Sequence, residues 1–242
     1  MSTVAAVVFG LVGTGTAWYL SSSAPHGETV FADETGLVMQ ETQPEVVPAF
    51  DAILKEFFST PLSGRTVGFV VDDDLSMAPY SDGIAFLIPA VATRLDTESR
   101  LAVSLATDST PNVLRPSHVT QSSIAGAKTM LVGSMSSGQT DLAAALSASA
   151  DWGADQIFLV LANPFVSDSI ESLIQNAKQT GAELHVVALG NARSAAADLE
   201  RMANAVGGSY RAIDDAAFRG VIDEAHLVLA RLGPIEKVTR ND

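Results

Sequence analysis

Three polar stretches of this sequence could bind a cation through oxygen atoms. Asp72, Asp74 and Ser76 alternate directly after the apolar run TVGFVV. A second stretch is Ser136–Asp141, and a third begins at Asn163, after the apolar run QIFLVLA. Carboxylate, hydroxyl and amide oxygens select hard cations such as Mg²⁺, Mn²⁺ or Ca²⁺, and these stretches contain neither histidine nor cysteine. They therefore indicate the binding of one divalent cation.

Apolar runs alternate with amphipathic segments from Thr66 onward, which predicts an α/β fold. The predicted strands are Thr66–Val71, Arg100–Thr107, Lys128–Gly133, Gln156–Ala162, Glu183–Gly190 and Gly208–Ile213. The predicted helices are Asp82–Leu95, Ser117–Ile124, Thr140–Trp152, Ser167–Thr180, Ser194–Val206 and Asp215–Leu232. This pattern indicates a doubly wound, mostly parallel six-stranded sheet with helices on both faces. Ligands of such sheets bind beyond the carboxyl ends of the strands, where the three polar stretches are expected to lie.

The order of these pieces resembles a von Willebrand factor A domain over nearly the whole span from Thr66 to Leu232. The stretch VGFVVDDDLSM resembles the family's first strand and its Asp-x-Ser-x-Ser metal loop. The stretch SGQTDL, with Leu146 following it, resembles the family's Gly-Gly-Thr-x-Leu turn. IFLVLANP stands where the family has a strand ending in Thr-Asp-Gly, and ELHVVALGNARSAAADLERMANAVGGSYRAID is similar to its closing strand, helix and strand. The edge strand, which we place at Lys128–Gly133, is expected from this resemblance to run antiparallel.

The resemblance implies a metal-ion-dependent adhesion site formed by Asp72, Asp74, Ser76, Thr140 and Asn163. Asp74 stands where the family has its first serine, and Asn163 stands where it has a late aspartate. The number of carboxylates stays at two, but both now lie on one loop. Two close carboxylates need a cation, or a raised pKa, to relieve their repulsion. Loss of the late acid weakens the site, so the sequence does not decide between a site that binds a cation and one that binds none.

The resemblance also implies a protein–protein interaction module and not an enzyme. Pro79, Tyr80, Pro164 and Phe165 lie in the loops around the expected site, and they are the expected apolar contacts with a protein partner. Asp73 occupies an intervening position of the loop, so it is not expected to bind the cation.

Two other functions are alternatives. One is a structural scaffold subunit that binds no metal. The other is a Mg²⁺-dependent phosphatase of the haloacid-dehalogenase type, whose first motif is also similar to Asp72-x-Asp74, with Asp72 as nucleophile and Asp74 as general acid. That family needs a late acidic pair, which Ala162–Phe165 does not supply, and either Lys128 or Lys178 would have to serve as its lysine.

Residues 1–24 are expected to form a transmembrane anchor. No charged side chain occurs in this segment, and a helix over Met1–Leu20 would span about 30 Å. Trp18 and Tyr19 would lie at the membrane interface. A cleaved signal peptide and a buried core helix are the alternatives. Because no lysine or arginine precedes Lys55, the remainder is expected on the extracytoplasmic, periplasmic side, as an accessory or assembly subunit of a larger membrane complex.

The composition excludes some partners. Acids outnumber bases 28 to 14, which gives a formal charge of −14 and argues against nucleic acid. Cysteine is absent, so disulfides and thiolate metal sites are excluded. Beyond the anchor, the expected divisions are a linker with a short helix at 25–64, the domain at 65–233 and a tail at 234–242. The expected partners are therefore proteins and a membrane.

Overall fold

The computed structural model describes residues 5–10, 17–22, 52–55, 57–58, 60–96, 98–108, 110–133, 140–164 and 169–232. The chain divides into two compact units, Met1–Glu41 and Thr42–Asp242.

The larger unit contains six strands and six longer helices within the described ranges. The strands are β3 Thr66–Asp72, β4 Arg100–Ala106, β5 Asn112–His118, β6 Gln156–Leu161, β7 Glu183–Ala188 and β8 Tyr210–Ala212. The helices are α1 Ser81–Ala92, α2 Gln121–Gly133, α3 Leu142–Ala148, α4 Ile170–Thr180, α5 Ala196–Asn204 and α6 Asp215–Leu232. Short 3₁₀ turns occupy Leu75–Met77, Ala150–Trp152 and Gly190–Ala195.

These six strands form one sheet in the order β5-β4-β3-β6-β7-β8. All neighbours are parallel except β5, which pairs antiparallel with β4. Every residue of β3 and β6 is buried, which explains why both strands read as continuous apolar runs in the sequence. The predicted six-stranded, mostly parallel α/β sheet is confirmed.

Helices cover both faces of the sheet. On one face, α1, α2 and α6 contribute Ile84, Leu131 and Phe218 to the larger core. On the other face, α3, α4 and α5 contribute residues such as Leu146 and Leu173 to a second core. This layering leaves the carboxyl ends of the central strands free to carry loops.

The edge strand is not the one predicted. Lys128–Gly133 belongs to α2, and the antiparallel edge strand is Asn112–His118. The sequence signal for α2 is a reciprocal cap at its start, where Thr120 N donates to Ser123 Oγ at 2.8 Å and Ser123 N donates to Thr120 Oγ1 at 3.1 Å. The strand was missed because it contains Pro116, which a sheet accepts only at an edge or a bulge.

The core of the larger unit begins before the predicted boundary at residue 65. Residues 52–55 and 57–58 are helical. Four of their side chains are at most 3% exposed: Ile53, Leu54, Phe57 and Phe58. The ring of Phe58 lies 4.7 Å from that of Phe158 on β6. The short helix expected in the linker is therefore part of the domain core.

The smaller unit contains a two-stranded antiparallel hairpin, β1 Ala5–Gly10 and β2 Ala17–Ser22. The predicted transmembrane helix over Met1–Leu20 is therefore corrected, because its described residues form strands. Valines and glycines, which lower helix propensity, explain the difference. In the part of the chain that the structure describes, no helix has the length and apolar character needed to cross a bilayer.

Candidate functional site

The loop after β3 is ordered by its own carboxylates. Asp72 Oδ1 accepts a hydrogen bond of 3.2 Å from Asp74 N, and Asp74 Oδ1 accepts one of 2.7 Å from Ser76 N. Aspartate commonly makes such bonds to the backbone two residues on, and they hold a tight turn. As a result, one oxygen of each carboxylate is fixed by the loop backbone, and the loop passes directly into the 3₁₀ turn at Leu75–Met77.

Three loops meet at Asp72, which is only 3% exposed. Burial raises the pKa of Asp72 to about 6, against hydrogen bonds from the Thr140 side chain and from the backbone of Asp74 and Ala162 that lower it. The negative charge of Asp74 adds to the increase in this pKa. The predicted convergence of the Asp72 loop, the turn before α3 and the end of β6 is therefore observed.

Thr140 owes its position to the start of α3. Asp141 caps this helix by accepting a hydrogen bond of 2.7 Å from Ala144 N, and its own backbone N donates to Thr107 O at 3.0 Å. The second of these bonds ties the start of α3 to the segment after β4. Thr140, one residue earlier, is thereby held at the sheet edge beside Asp72.

Ser76 supplies an unsatisfied hydroxyl. Its Oγ atom is buried and has no hydrogen-bond partner among the residues that the structure describes. A buried polar atom without a partner is costly, so its presence calls for an explanation such as a bound ion. The donor set of two carboxylates and two hydroxyls fits a hard cation. Asn163 follows Ala162 directly and is half-buried.

Asp73 is a further acid at this edge that the sequence prediction set aside. It is 4% exposed, and its backbone N donates to Ala106 O at 3.2 Å. With Asp72 it lines a cavity of about 10 Å³, whose walls also include Met77 and Leu131. A space of this size accommodates about one water-sized group. In the described ranges, no cluster of three or more acidic or histidine side chains could hold a metal, so hydroxyls would have to contribute.

The four residues predicted to contact a partner differ in their exposure. Pro79 is exposed and Pro164 is half-buried, whereas Phe165 lies outside the described residues. Tyr80 is 6% exposed, and its ring packs edge-on against Phe218 at 5.1 Å. The prediction of Tyr80 as a partner contact is therefore corrected, because its ring is already buried within the domain.

Two exposed apolar side chains near the site were not predicted. Leu75 in the metal loop is 62% exposed, and Val132 near the end of α2 is 59% exposed. Val132 follows Leu131, which lines the cavity beside Asp72. Neither stood out in the sequence, because Leu75 sits among acids and Val132 lies in a segment interpreted as a strand.

Comparison with known proteins shows similarity in structure only. No protein-family model and no curated protein matches the sequence. A von Willebrand factor type A protein from Catenulispora acidiphila matches with a TM-score of 0.53 and 16% identity, over 72% of this chain and 44% of that chain. The pilus adhesin SpaC from Lactobacillus rhamnosus GG matches with a TM-score of 0.53 and 10% identity, over 72% and 31%. The SpRpn10 VWA domain matches with a TM-score of 0.51 and 12% identity, over 66% and 94%.

The matched region covers less than half of the first two of these chains. At such identities the likeness concerns the fold, and the order β5-β4-β3-β6-β7-β8 with one antiparallel edge agrees with it. The region Thr66–Leu232 therefore has the fold of a von Willebrand factor A domain.

Proposed function

We propose that this chain is a protein–protein interaction module that binds its partner at the Asp72 edge of the sheet, with one divalent cation in the site. The observation that carries the proposal is the meeting of three loops at Asp72 beside the unpaired Ser76 hydroxyl. Domains of this fold commonly mediate protein–protein contacts, and none of the observed geometry requires a chemical reaction.

The residues around Asp72 would make different contributions to binding the cation. Asp72 and Asp74 would supply the negative charge, and the cation would relieve the repulsion between them. Ser76 and Thr140 would add hydroxyl oxygens, and Asn163 would add an amide oxygen. When bound, a cation such as Mg²⁺, Mn²⁺ or Ca²⁺ would offset the charge of the two carboxylates and hold the three loops together.

Titration of the full chain with Mn²⁺, followed by electron paramagnetic resonance, tests the cation. We expect Asp72→Asn and Ser76→Ala each to weaken binding by about tenfold or more, the range found when metal-site groups are lost. Asp223→Asn is the matched control, because Asp223 is an exposed acid on α6. If wild type binds no Mn²⁺, or if the control loses as much affinity as Asp72→Asn, the cation is excluded from the proposal.

Partner contact would come from the exposed apolar side chains around the site. Leu75 and Val132 are more than half exposed. Pro79, four residues after Leu75, is also exposed. Exposed apolar side chains rimmed by polar residues are common at protein interaction sites. Affinity isolation of the partner with wild type and with Leu75→Ser, Val132→Ser would test this: the double variant should lose the partner while keeping Mn²⁺ affinity.

The alternatives predict different results. A metal-free scaffold would bind its partner but no Mn²⁺, even as the wild type. A phosphatase would require access to Asp72, which is 3% exposed, and Lys128 and Lys178 are exposed on α2 and α4. Hydrolysis of p-nitrophenyl phosphate that disappears in Asp72→Asn would replace the proposal by the enzyme.

We also propose, from the sequence, that residues 1–24 tether the chain to a membrane and that it serves in a larger membrane complex. The uncharged residues 1–24 support membrane association, and the missing lysine and arginine before Lys55 support an extracytoplasmic location. Protein that stays with membranes after a carbonate wash would support the tether. Complete release by the wash would contradict it.

A further inference from the structure

Gln156, the first residue of β6, holds the chain that leads into β3. It is 3% exposed, and its Oε1 accepts a hydrogen bond of 2.8 Å from Ser63 N. Its Nε2 donates to Pro61 O at 3.4 Å. Pro61 and Ser63 are themselves exposed, so a buried side chain makes both bonds to a surface segment. Gln156 thereby attaches residues 61–63 to the sheet.

The same amide determines the protonation of His185. Because a backbone N–H only donates, the Gln156 atom that faces Ser63 N is the oxygen, and Nε2 is the atom that lies 3.5 Å from His185 Nε2. An amide nitrogen donates and does not accept, so His185 Nε2 accepts and carries no proton. The proton of the neutral ring is then on Nδ1, which donates to Ser209 Oγ at 3.0 Å. The geometry thus selects one tautomer of a neutral His185.

A protonated ring would have a different partner. The Oε2 atom of Glu183 lies 3.5 Å from His185 Nε2 and belongs to a side chain that is 56% exposed. An ionised carboxylate only accepts, so it bonds to a protonated nitrogen, whereas the Gln156 amide bonds to an unprotonated one. The partly positive NH₂ group of Gln156 also repels a charged ring. Nε2 is therefore suited to Gln156 when the ring is neutral and to Glu183 when it is charged.

Within the described residues, Glu183 is the charged group that acts on His185. Burial lowers the pKa of His185, and Glu183 opposes this effect. The carboxylate of Asp155, next to Gln156, is occupied by Arg65 N at 2.7 Å and Thr66 N at 3.0 Å. The other charged side chains of the neighbouring elements are Lys55 on the helix before residues 61–63, Arg211 on β8, and Asp223 and Glu224 on α6.

The helical residues before this segment pack on the same rings. The ring of Phe58 lies 4.7 Å from that of Phe158, and the ring of His185 stacks on Phe158 at 5.0 Å. Leu62, between the two residues that Gln156 holds, also packs against this core. The attachment of the chain before β3 therefore involves Gln156 and Phe158, and both of them contact His185.

We propose that His185 is a proton-operated switch that releases residues 61–63 from the sheet in acid. Protonation moves the hydrogen bond of Nε2 from Gln156 to Glu183. The Gln156 side chain then turns away from the charged ring, which breaks its bonds to residues 61–63. The segment is thus held above the pKa of the folded ring and released as the pH falls through it. The switch is independent of the cation proposed at Asp72.

The tautomer of the ring is the first test. Long-range ¹H–¹⁵N spectra of the ¹⁵N-labelled full chain distinguish the two ring nitrogens of each histidine. We expect His185 to carry its proton on Nδ1 at about pH 7.5, where the ring is neutral. A proton on Nε2 at this pH would overturn the proposal, because Gln156 could not then donate to it.

Hydrogen exchange followed by NMR tests the release. The protection of the Ser63 amide is compared with that of the Val160 amide, in the buried strand β6, from about pH 7.5 to about pH 5. The ratio of the two should fall by about tenfold as His185 takes up its proton, the effect of losing one hydrogen bond. Unfolding of the whole domain lowers both protections by the same factor, so a constant ratio would overturn the proposal.

Glu183→Gln separates the switch from other effects of acid. Glutamine cannot ionise, so the fall in the ratio should move to lower pH in this variant. Glu224→Gln is the matched control, because it makes the same change at an exposed position of α6 and should leave the fall where it is in wild type. His185→Gln should keep the ratio constant. Because Glu183 is exposed, Glu183→Gln tests the switch even where His185→Gln does not fold, and an equal response of Glu183→Gln and Glu224→Gln would overturn it.

Discussion

The Tyr80 hydroxyl donates a hydrogen bond of 2.6 Å to Asp215 Oδ1. This bond ties the turn after the Asp72 loop to the first residue of α6, which lies 135 positions later in the sequence. Burial, and after it this hydrogen bond, raises the pKa of Tyr80 to about 12. The shape of the candidate site therefore depends in part on a helix that contributes no ligand to it.

Replacing Tyr80 by phenylalanine should destabilise the domain by about 1 kcal/mol, because the ring packing on Phe218 stays and one hydrogen bond is lost. Urea denaturation measures the change. Tyr210→Phe is the matched control, because the Tyr210 hydroxyl is buried without a partner among the described residues. Removing it should leave the stability unchanged or raise it. A larger loss in Tyr210→Phe than in Tyr80→Phe would contradict this account.

The domain should not fold when it is cut at the boundary predicted from the sequence. A chain that begins at Arg65 lacks Phe57 and Phe58, which are buried among the rings of the core. A chain that begins at Thr42, the start of the larger unit, keeps them. In the full chain, Phe57→Ala should cost about 3–5 kcal/mol. Circular dichroism of the two truncated chains distinguishes them, and a folded chain beginning at Arg65 would refute the prediction.

The sheet could be predicted largely from its central strands. β3 and β6 are buried on both faces, so they appear in the sequence as short continuous apolar runs. The edge was harder to predict, because an edge strand is half-exposed and need not be apolar. Asn112–His118 contains an exposed arginine and a proline. The apolar letters of Lys128–Gly133 belong instead to a helix that packs on that edge.

Those parts of the candidate site that follow from the order of the strands and helices could be predicted. Parallel strands end at one edge, so the meeting of Asp72 with Thr140 and with the end of β6 followed from the order of the elements. The burial of Tyr80 could not be foreseen, because its partner Asp215 comes from a distant helix. The unpaired state of the Ser76 hydroxyl likewise depends on packing that no local pattern records.

The domain should lose stability in acid through His185 on β7. This side chain is 4% exposed, and burial lowers its pKa below 6.5, although the charge of Glu183 opposes the shift. Its Nδ1 lies 3.0 Å from Ser209 Oγ, and its ring stacks on Phe158 at 5.0 Å. The unfolded chain therefore binds a proton at higher pH than the folded one, so stability falls as the pH drops through 6.5 towards the lower folded value.

Urea denaturation at about pH 7.5 and about pH 5.5 measures this dependence. His185→Gln should reduce the loss in acid, because glutamine does not titrate. Asp72, whose raised pKa acts in the opposite direction, is present in both proteins and cancels in their difference. An unchanged pH dependence in His185→Gln would exclude His185 as its source.

The last prediction concerns how a bound cation would act on the partner. Asp72 and Asp74 lie on one loop, and their carboxylates are oriented by consecutive backbone hydrogen bonds. If both bind the cation, their two charges neutralise a divalent ion. The attraction left for a carboxylate of the partner is then small, and the acids already present repel it. Partner binding at this edge should therefore depend mainly on apolar contacts such as Leu75 and Val132, and it should survive a chelator.

Asp74→Ser restores a net positive charge at the cation, so this variant should make partner binding sensitive to chelation. Binding of the isolated partner, with and without EDTA, decides the matter for wild type and Asp74→Ser. Loss of wild-type binding in EDTA would show that the partner relies on the cation directly, and an equal response of the two proteins would contradict the role given to Asp74.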